Sequence, residues 1–254
     1  MGLSDRKLQT PVQIRAVPLM ILFVKNYPCL ILKHKNKRYM IISDLHLGIS
    51  LELEKKGFFL PSQAENLANK LNRLKKITRT KEIIILGDLK HNIPLALKYE
   101  KAEINKFLSK INFEKIILLK GNHDGRIENV IRSEKKIIIP KEKFFVIGKY
   151  VLTHGHIKLN KKLLGKNIII GHIHPFIKMR DKFSFYYEPA WLVYKDEKRE
   201  IIIMPSFNDL CGATIVNEQE LIGPIAKNLD REKINVYLLD GTLLDNLDAL
   251  WLGE

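Results

Sequence analysis

The chain has 254 residues, 46% of them hydrophobic and 28% charged. A sequence of this size and balance buries a substantial core, which excludes a disordered chain, a collagen-like chain and a small disulfide scaffold. Lysine and arginine number 43 against 28 aspartates and glutamates, a net charge of +15. That excess fits either an anionic partner, nucleic acid first, or a solvated lysine-rich surface of the kind thermophiles carry.

The first apolar run, residues 17–24, is broken by Lys25. It falls far short of the ~20 residues that cross a bilayer and has no small-residue cleavage site behind it, so it reads as a buried strand with no membrane role. Residues 22–42 predict a hairpin turning at Lys35-Asn36-Lys37, and the run 39–42 leads into Ser43-Asp44-Leu45-His46. After Pro61, a capping-box pattern of Ser62 and Glu65 opens a helix whose apolar stripe is Ala64, Leu67, Leu71, Leu74 and Ile77. The run 83–86 leads into Gly87-Asp88. A second helical stripe, Ile104, Phe107, Leu108 and Ile111, follows.

The run 116–119 leads, after Lys120, into Gly121-Asn122-His123-Asp124. The run 146–152 leads into Thr153-His154-Gly155-His156, and 168–170 into Gly171-His172-Ile173-His174. Near the end, 235–239, Asp240-Gly241 and 242–244 form a hairpin signal. Strand and helix alternate through the first three motifs, which predicts an α/β domain with a partly parallel sheet. Ligands bind such sheets outside the carboxyl ends of the strands, where all five motifs sit. The expected organisation is a single domain over residues 1–254. Its motif-bearing core covers about 39–210, with β-rich extensions at 1–38 and 211–254.

Seven of the eight histidines lie in or beside these motifs, and only His34 stands apart. In extended chain, residues i and i+2 point the same way, so Asp44 and His46 can face one ion, and His172 and His174 likewise. Aspartate, asparagine and histidine together make a mixed oxygen and nitrogen shell suited to Mn²⁺, Fe²⁺ or Zn²⁺. No cysteine belongs to the set, which argues against a structural zinc. The donors are too many for one ion and enough for two ions sharing a carboxylate. The two cysteines, Cys29 and Cys211, show neither ligand spacing nor a disulfide framework, the usage of a reducing, cytoplasmic compartment.

Asp44-x-His46, Gly87-Asp88, Gly121-Asn122-His123-Asp124, His154 and Gly171-His172-x-His174 resemble the signature of the calcineurin-like metallophosphoesterases. The spellings of the first, second and fifth motifs are most similar to the archaeal SbcD-related branch and to the bacterial DNA ligase-associated metallophosphoesterases. The resemblance implies a four-layer αββα sandwich with two mixed β-sheets between helices. It also implies a ligand assignment: Asp44, His46, Asp88 and His174 on one ion, Asp88, Asn122, His154 and His172 on the other, with Asp88 bridging. Manganese is the first expectation for both ions, with iron, nickel, zinc or magnesium as alternatives. His123 then stands beside the leaving group as general acid, with Asp124 orienting its ring.

His91, three positions after the bridging aspartate, is expected near the site as a contact to phosphate or as a hydrogen-bonded support, and not as a ligand. His156 is the alternative to His154. Arg126 and a series of lysines gather near the same motifs, and Lys178, Arg180 and Lys182 interleave with Phe176, Phe183, Phe185, Tyr186 and Tyr187. These rings fit either a basic groove that stacks single strands or a core-facing strand. The expected activity is two-metal hydrolysis of phosphodiesters, with single-stranded DNA the favoured substrate. The alternatives are an enzyme for cyclic nucleotides or phosphomonoesters and, third, a non-catalytic binding module. The sequence names no protein partner.

Overall fold

Isoleucine dominates the strands that lead into the motifs, and a computed structural model describing residues 21–93, 98–131 and 136–252 shows where its side chains go. In chain order the elements are β1 (Ile21–Phe23), β2 (Leu30–His34), β3 (Lys37–Ile42), α1 (Ile49–Lys55), α2 (Gln63–Thr78), β4 (Glu82–Ile85), α3 (Lys98–Lys110), β5 (Lys115–Leu118) and β6 (Ile137–Ile138). They continue with β7 (Phe144–Ile147), β8 (Tyr150–Thr153), α4 (Lys161–Leu164), β9 (Asn167–Ile170), β10 (Pro175–Arg180), β11 (Phe185–Lys195), β12 (Glu200–Ile203), β13 (Thr214–Ile215), β14 (Ile234–Leu238) and β15 (Leu243–Asn246). Of the predicted strand 17–24, residues 17–20 lie outside the described residues and 21–23 form β1.

Strands β1 to β6 form one sheet in sequence order, antiparallel from β1 to β3 and parallel from β3 to β6. The second sheet runs β13-β10-β11-β12-β9-β8-β7, with β14 also pairing β11 and β15 pairing β14. Both sheets are mixed. Strands buried on both faces need apolar side chains at every position, and β4 and β5 show it. Ile83, Ile85, Ile116 and Leu118 face α2 and α3, while Ile84 and Ile117 join Trp191, Ile169 and Ile202 between the two sheets. There the Phe23 and Trp191 rings meet edge to face at 4.9 Å, a contact worth about 0.5–1.5 kcal/mol beyond its area. The outer face of the second sheet is covered mainly by the short α4 and by Val216, Leu221, Ile225 and Ala226 from the C-terminal segment.

The two long helices follow their stripes: Ala64, Leu67, Leu71 and Leu74 are buried on α2, and Ile104, Phe107 and Leu108 on α3. The capping box does not form. Ser62 Oγ–H and the Ala64 N–H both turn to the Glu103 carboxylate on α3, at 2.9 and 3.4 Å, and Glu65 pairs with Lys106 and Lys110. A neighbouring helix has taken over the job of the local cap. The run 146–152 is a hairpin and not one strand, turning at Gly148, whose φ of 57° admits the tight reversal. Helix α1 has no counterpart in the sequence reading; it starts after Gly48, at φ 100°. Both expected terminal hairpins are present, β2–β3 and β14–β15.

Candidate metal centre

All five motifs lie just past the carboxyl ends of strands: β3, β4 and β5 of the first sheet, β8 and β9 of the second. The backbone there is not extended. Asp44, His46, Asp88, His172 and His174 have φ of 58°, 42°, 50°, 73° and 49°. The expectation that i, i+2 alternation aims these pairs is therefore corrected: left-handed turns aim them. Such a conformation costs roughly 1–3 kcal/mol per non-glycine residue and persists only where surroundings enforce it. Aspartate and histidine tolerate it better than branched residues.

The enforcement is visible. The Asp44 N–H bonds the Gly87 carbonyl and the His46 N–H the Asp88 carbonyl, at 3.2 and 2.8 Å. The N–H groups of Phe207 and Asn208 reach the carbonyls of Ser43 and Asp44, and Asn208 Nδ2 donates to Leu45 O at 2.8 Å. Space is equally tight. A Cβ on Gly121 would lie 2.0 Å from Asp88 Oδ1, and one on Gly171 1.7 Å from Ser43 Oγ.

The side chains converge on Asp88. Its Oδ1 accepts the His123 N–H at 2.9 Å. Its Oδ2 lies 3.2 Å from His154 Nε2 and 3.6 Å from His46 Nε2. On one side, His172 Nδ1 and Asn122 Oδ1 stand 3.1 and 2.9 Å from His154 Nε2. On the other, Asp44 Oδ1 is 3.1 Å from His174 Nε2. Asp88, His154 and His172 thus form one compact set of donors, and Asp44, His46 and Asp88 a second.

Divalent cations fit this arrangement. Asp44 Oδ1, His46 Nε2 and His174 Nε2 are buried and make no hydrogen bond of proper geometry, a costly state for three polar atoms unless something binds them. Meanwhile the far side of each ring is tied down. His154 Nδ1–H donates to the Leu86 carbonyl at 2.7 Å and His174 Nδ1–H to the Gly212 carbonyl at 2.9 Å. Backbone acceptors of this kind fix the tautomer and turn Nε2 inward. Asp44 Oδ2 is likewise occupied, by Ser43 Oγ–H at 2.5 Å and the His172 N–H at 3.0 Å.

Electrostatics favour a cation. Burial opposes the charge on Asp44, but His174, His154 and His46 outweigh it and hold the carboxyl well below the usual range. Burial depresses His46 to about 3 and His172 to about 4, so both rings are neutral donors at ordinary pH. For His154 burial is overcome by the hydrogen bond to Asp88 and the charges of Asp44 and Asp88, which raise it to about 9.

The remaining candidates separate. His123 Nδ1–H donates to the His91 carbonyl, and its Nε2 lies 4.0 Å from Asp88 Oδ2. Asp124 does not orient that ring, contrary to the sequence expectation. Its carboxylate accepts the N–H groups of Gly121 and Lys90 at 2.9 and 3.2 Å, and burial raises it to about 6. His91 is beside the centre: its Nδ1 is 3.3 Å from His46 Nδ1, and its Nε2–H donates to Glu52 Oε2 at 2.5 Å. The ring of His156 is 5.2 Å from that of His154 and belongs to neither donor set. Arg126 is exposed and makes no ion pair among the described residues.

Three residues escaped the sequence reading. Glu52 comes from the unexpected α1. Glu100, buried on α3, accepts the N–H groups of His91 and Asn92, each at 2.7 Å. Cys211 donates its thiol to the Asp44 carbonyl at 3.4 Å, and its sulfur groups with the donors of His46 and His174. The sequence reading kept the cysteines apart from the ligand set, and Cys211 lies directly against it.

The calcineurin-like phosphoesterase family matches residues 37–234. The chain belongs to that family and is a metal-dependent phosphoesterase. Among solved structures, Pseudomonas putida nuclease MPE aligns with a TM-score of 0.51 at 19% identity, covering 84% of this chain and 97% of that one. Yfce, a phosphoesterase from E. coli, aligns with a TM-score of 0.37 at 16% identity, covering 81% and 96%. No curated protein matches the chain. No helix among the described residues is long and apolar enough to cross a membrane.

Proposed function

We propose that the protein is a two-metal phosphodiesterase that cuts single-stranded DNA, with manganese its working ion. One observation carries the reading: a single oxygen, Asp88 Oδ2, faces His154 Nε2 at 3.2 Å and His46 Nε2 at 3.6 Å. That is the place for a carboxylate shared by two ions. Asp44, His46 and His174 complete one set with Asp88; Asn122, His154 and His172 complete the other. Divalent ions held by these residues would supply Lewis-acid chemistry, drawing charge from a phosphate and lowering the pKa of the attacking water.

The chain's own groups do the rest. Asp88 holds both halves in register, its Oδ1 anchored by the His123 N–H. His123, its Nδ1–H held by the His91 carbonyl, turns Nε2 to the site and protonates the departing oxygen. Such a proton transfer contributes about 10²–10⁴-fold. Asp124 clamps the backbone at Lys90 and Gly121 and so fixes the turns that carry Asp88 and Asn122.

The nucleic-acid half rests on the net charge of +15 and on the motif spellings, which support a place beside the SbcD-related and ligase-associated branches. Two buried, free cysteines support a reducing cytoplasm.

The test is to strip the protein of metal and reload it with Mn²⁺, Fe²⁺, Ni²⁺, Zn²⁺ or Mg²⁺. It is then offered bis-p-nitrophenyl phosphate, p-nitrophenyl phosphate, a cyclic nucleotide and circular single-stranded DNA. Cutting of the circle with Mn²⁺ is expected. Preference for the monoester or the cyclic nucleotide overturns the nuclease reading, and no turnover with any ion overturns the hydrolase. Asp88→Asn is expected to lose both ions and nearly all turnover.

A further inference from the structure

Strands β10 and β11 project as a hairpin whose two faces differ. Ile177 and Met179, with Ala190, pack into the outer core of the second sheet. Alternation and the pairs Lys178↔Tyr187 and Arg180↔Phe185 put those four side chains together on the opposite face. Further along β11 the same face presents Trp191 and Val193 to the first sheet. Over the hairpin the first sheet no longer covers it. Phe185 and Tyr187 are 51% and 50% exposed, and Phe183 at the turn is 94% exposed, which decides between the groove and the core for these rings.

Two cations gather over one of the rings. Lys178 Nζ lies 4.4 Å and the Arg180 guanidinium 5.4 Å from the centre of Phe185. Lys178 is also bonded to Glu218 at 2.5 Å, whereas Arg180 and Lys182 make no ion pair among the described residues. Asp181, the acid at the turn, is spent on the N–H groups of Phe183 and Ser184. The strip begins directly after His174 and runs some 20 Å along β10 at ~3.3 Å per residue.

We infer that this face is a platform on which single-stranded DNA stacks its bases while Arg180 and Lys182 hold its phosphates. The inference rests on the nuclease reading and extends it by naming the surface. Exposed rings interleaved with cations offer a π-face to any unpaired base and a counter-charge to the backbone. A duplex, with its base faces already stacked, gains nothing from the rings. A bilayer would use the turn residue Phe183 but not rings set along the strand beside cations.

The experiment measures anisotropy of a fluorescein-labelled phosphorothioate oligothymidylate with the manganese-loaded protein. Phe185→Leu/Tyr187→Leu keeps the apolar bulk and removes the rings, and is expected to weaken binding at least about tenfold. Tyr187→Trp restores it in the Phe185→Leu background. Arg180→Gln/Lys182→Gln flattens the salt dependence. Turnover of bis-p-nitrophenyl phosphate stays at the wild-type level in all of them. Binding by the double leucine variant equal to wild type, equal binding of duplex, or ring-dependent capture by phosphatidylglycerol vesicles in place of DNA would each overturn the platform. Wild-type failure on bis-p-nitrophenyl phosphate sinks the phosphodiesterase reading instead, so the two failures are told apart.

Discussion

His91 Nε2–H donates to Glu52 Oε2 across 2.5 Å, and that contact decides which proton His46 carries. With Nε2–H bonded to Glu52, His91 presents Nδ1 as its remaining ring nitrogen and acceptor. Its neighbour at 3.3 Å is His46 Nδ1, which must then donate, leaving His46 Nε2 as the free lone pair that faces Asp88. A half-exposed carboxylate on α1 thereby sets the tautomer of a buried donor through one intervening ring.

Glu52→Ala removes that constraint without touching the centre. Support of this kind is typically worth 10–100-fold in metal affinity. Calorimetric titration with Mn²⁺ should show one of two binding steps weakened by about tenfold, the other unchanged. Two unaltered steps would mean that His46 holds its tautomer unaided.

His123→Ala should retain both ions, since the ring is not among the proposed ligands. Its cost should depend on the leaving group. Esters of alkyl alcohols should lose about 10²–10⁴-fold in kcat, while p-nitrophenyl esters, whose departing oxygen needs little protonation, should lose far less. Equal losses on both substrates would remove His123 from the proton transfer.

Metal affinity should rise with pH. In the metal-free protein His154 is raised to about 9, chiefly by Asp88 and Asp44 against the effect of burial. A cation must displace that proton. Below pH 9 each unit of acidification therefore costs about tenfold in affinity, and above it the dependence levels off. His174, also raised, acts in the same direction. His46 and His172, near 3 and 4, are already deprotonated at neutral pH and add nothing. Calorimetry at pH 7 in buffers of different ionisation enthalpy should register proton release on Mn²⁺ binding.

Gly121→Ala places a methyl 2.0 Å from Asp88 Oδ1 and 2.5 Å from the Asp88 backbone nitrogen. Neither can give way without moving the shared carboxylate. Urea unfolding should show a loss of about 1–3 kcal/mol or more, accompanied by loss of metal. Gly212→Ala, where an added methyl meets nothing within 4 Å, is the matched control and should bind metal normally.

The donor motifs were legible because each follows an apolar run that could only be a buried strand, as Gly87-Asp88 follows the isoleucines of β4. The conformation at those donors was not legible. Nothing in Asp44-Leu45-His46 announces two left-handed residues; bonds from Gly87, Asp88 and Asn208 impose them, and all come from elsewhere in the chain. The supporting groups were hidden for the same reason. Cys211 lies 167 positions from the carbonyl it touches, and Glu103 caps α2 from another helix. Glu52 sat in a charged stretch whose helical form depends on packing against the rest of the fold. The aromatic stretch 183–187 had two fair readings, and only the missing cover of the first sheet separated them.

The bonds from Phe207 and Asn208 to the carbonyls of Ser43 and Asp44 set a timetable. Asp44 emerges early in synthesis, but the segment that secures its geometry is made only after the first sheet and β7 to β12 of the second have been translated. A nascent or truncated chain ending before that segment cannot assemble a tight pair of cation seats. Occupancy thus reports that the chain has been made through Asn208, and the amide hydrogens of Phe207 and Asn208 should be among the sharpest reporters of assembly in deuterium exchange.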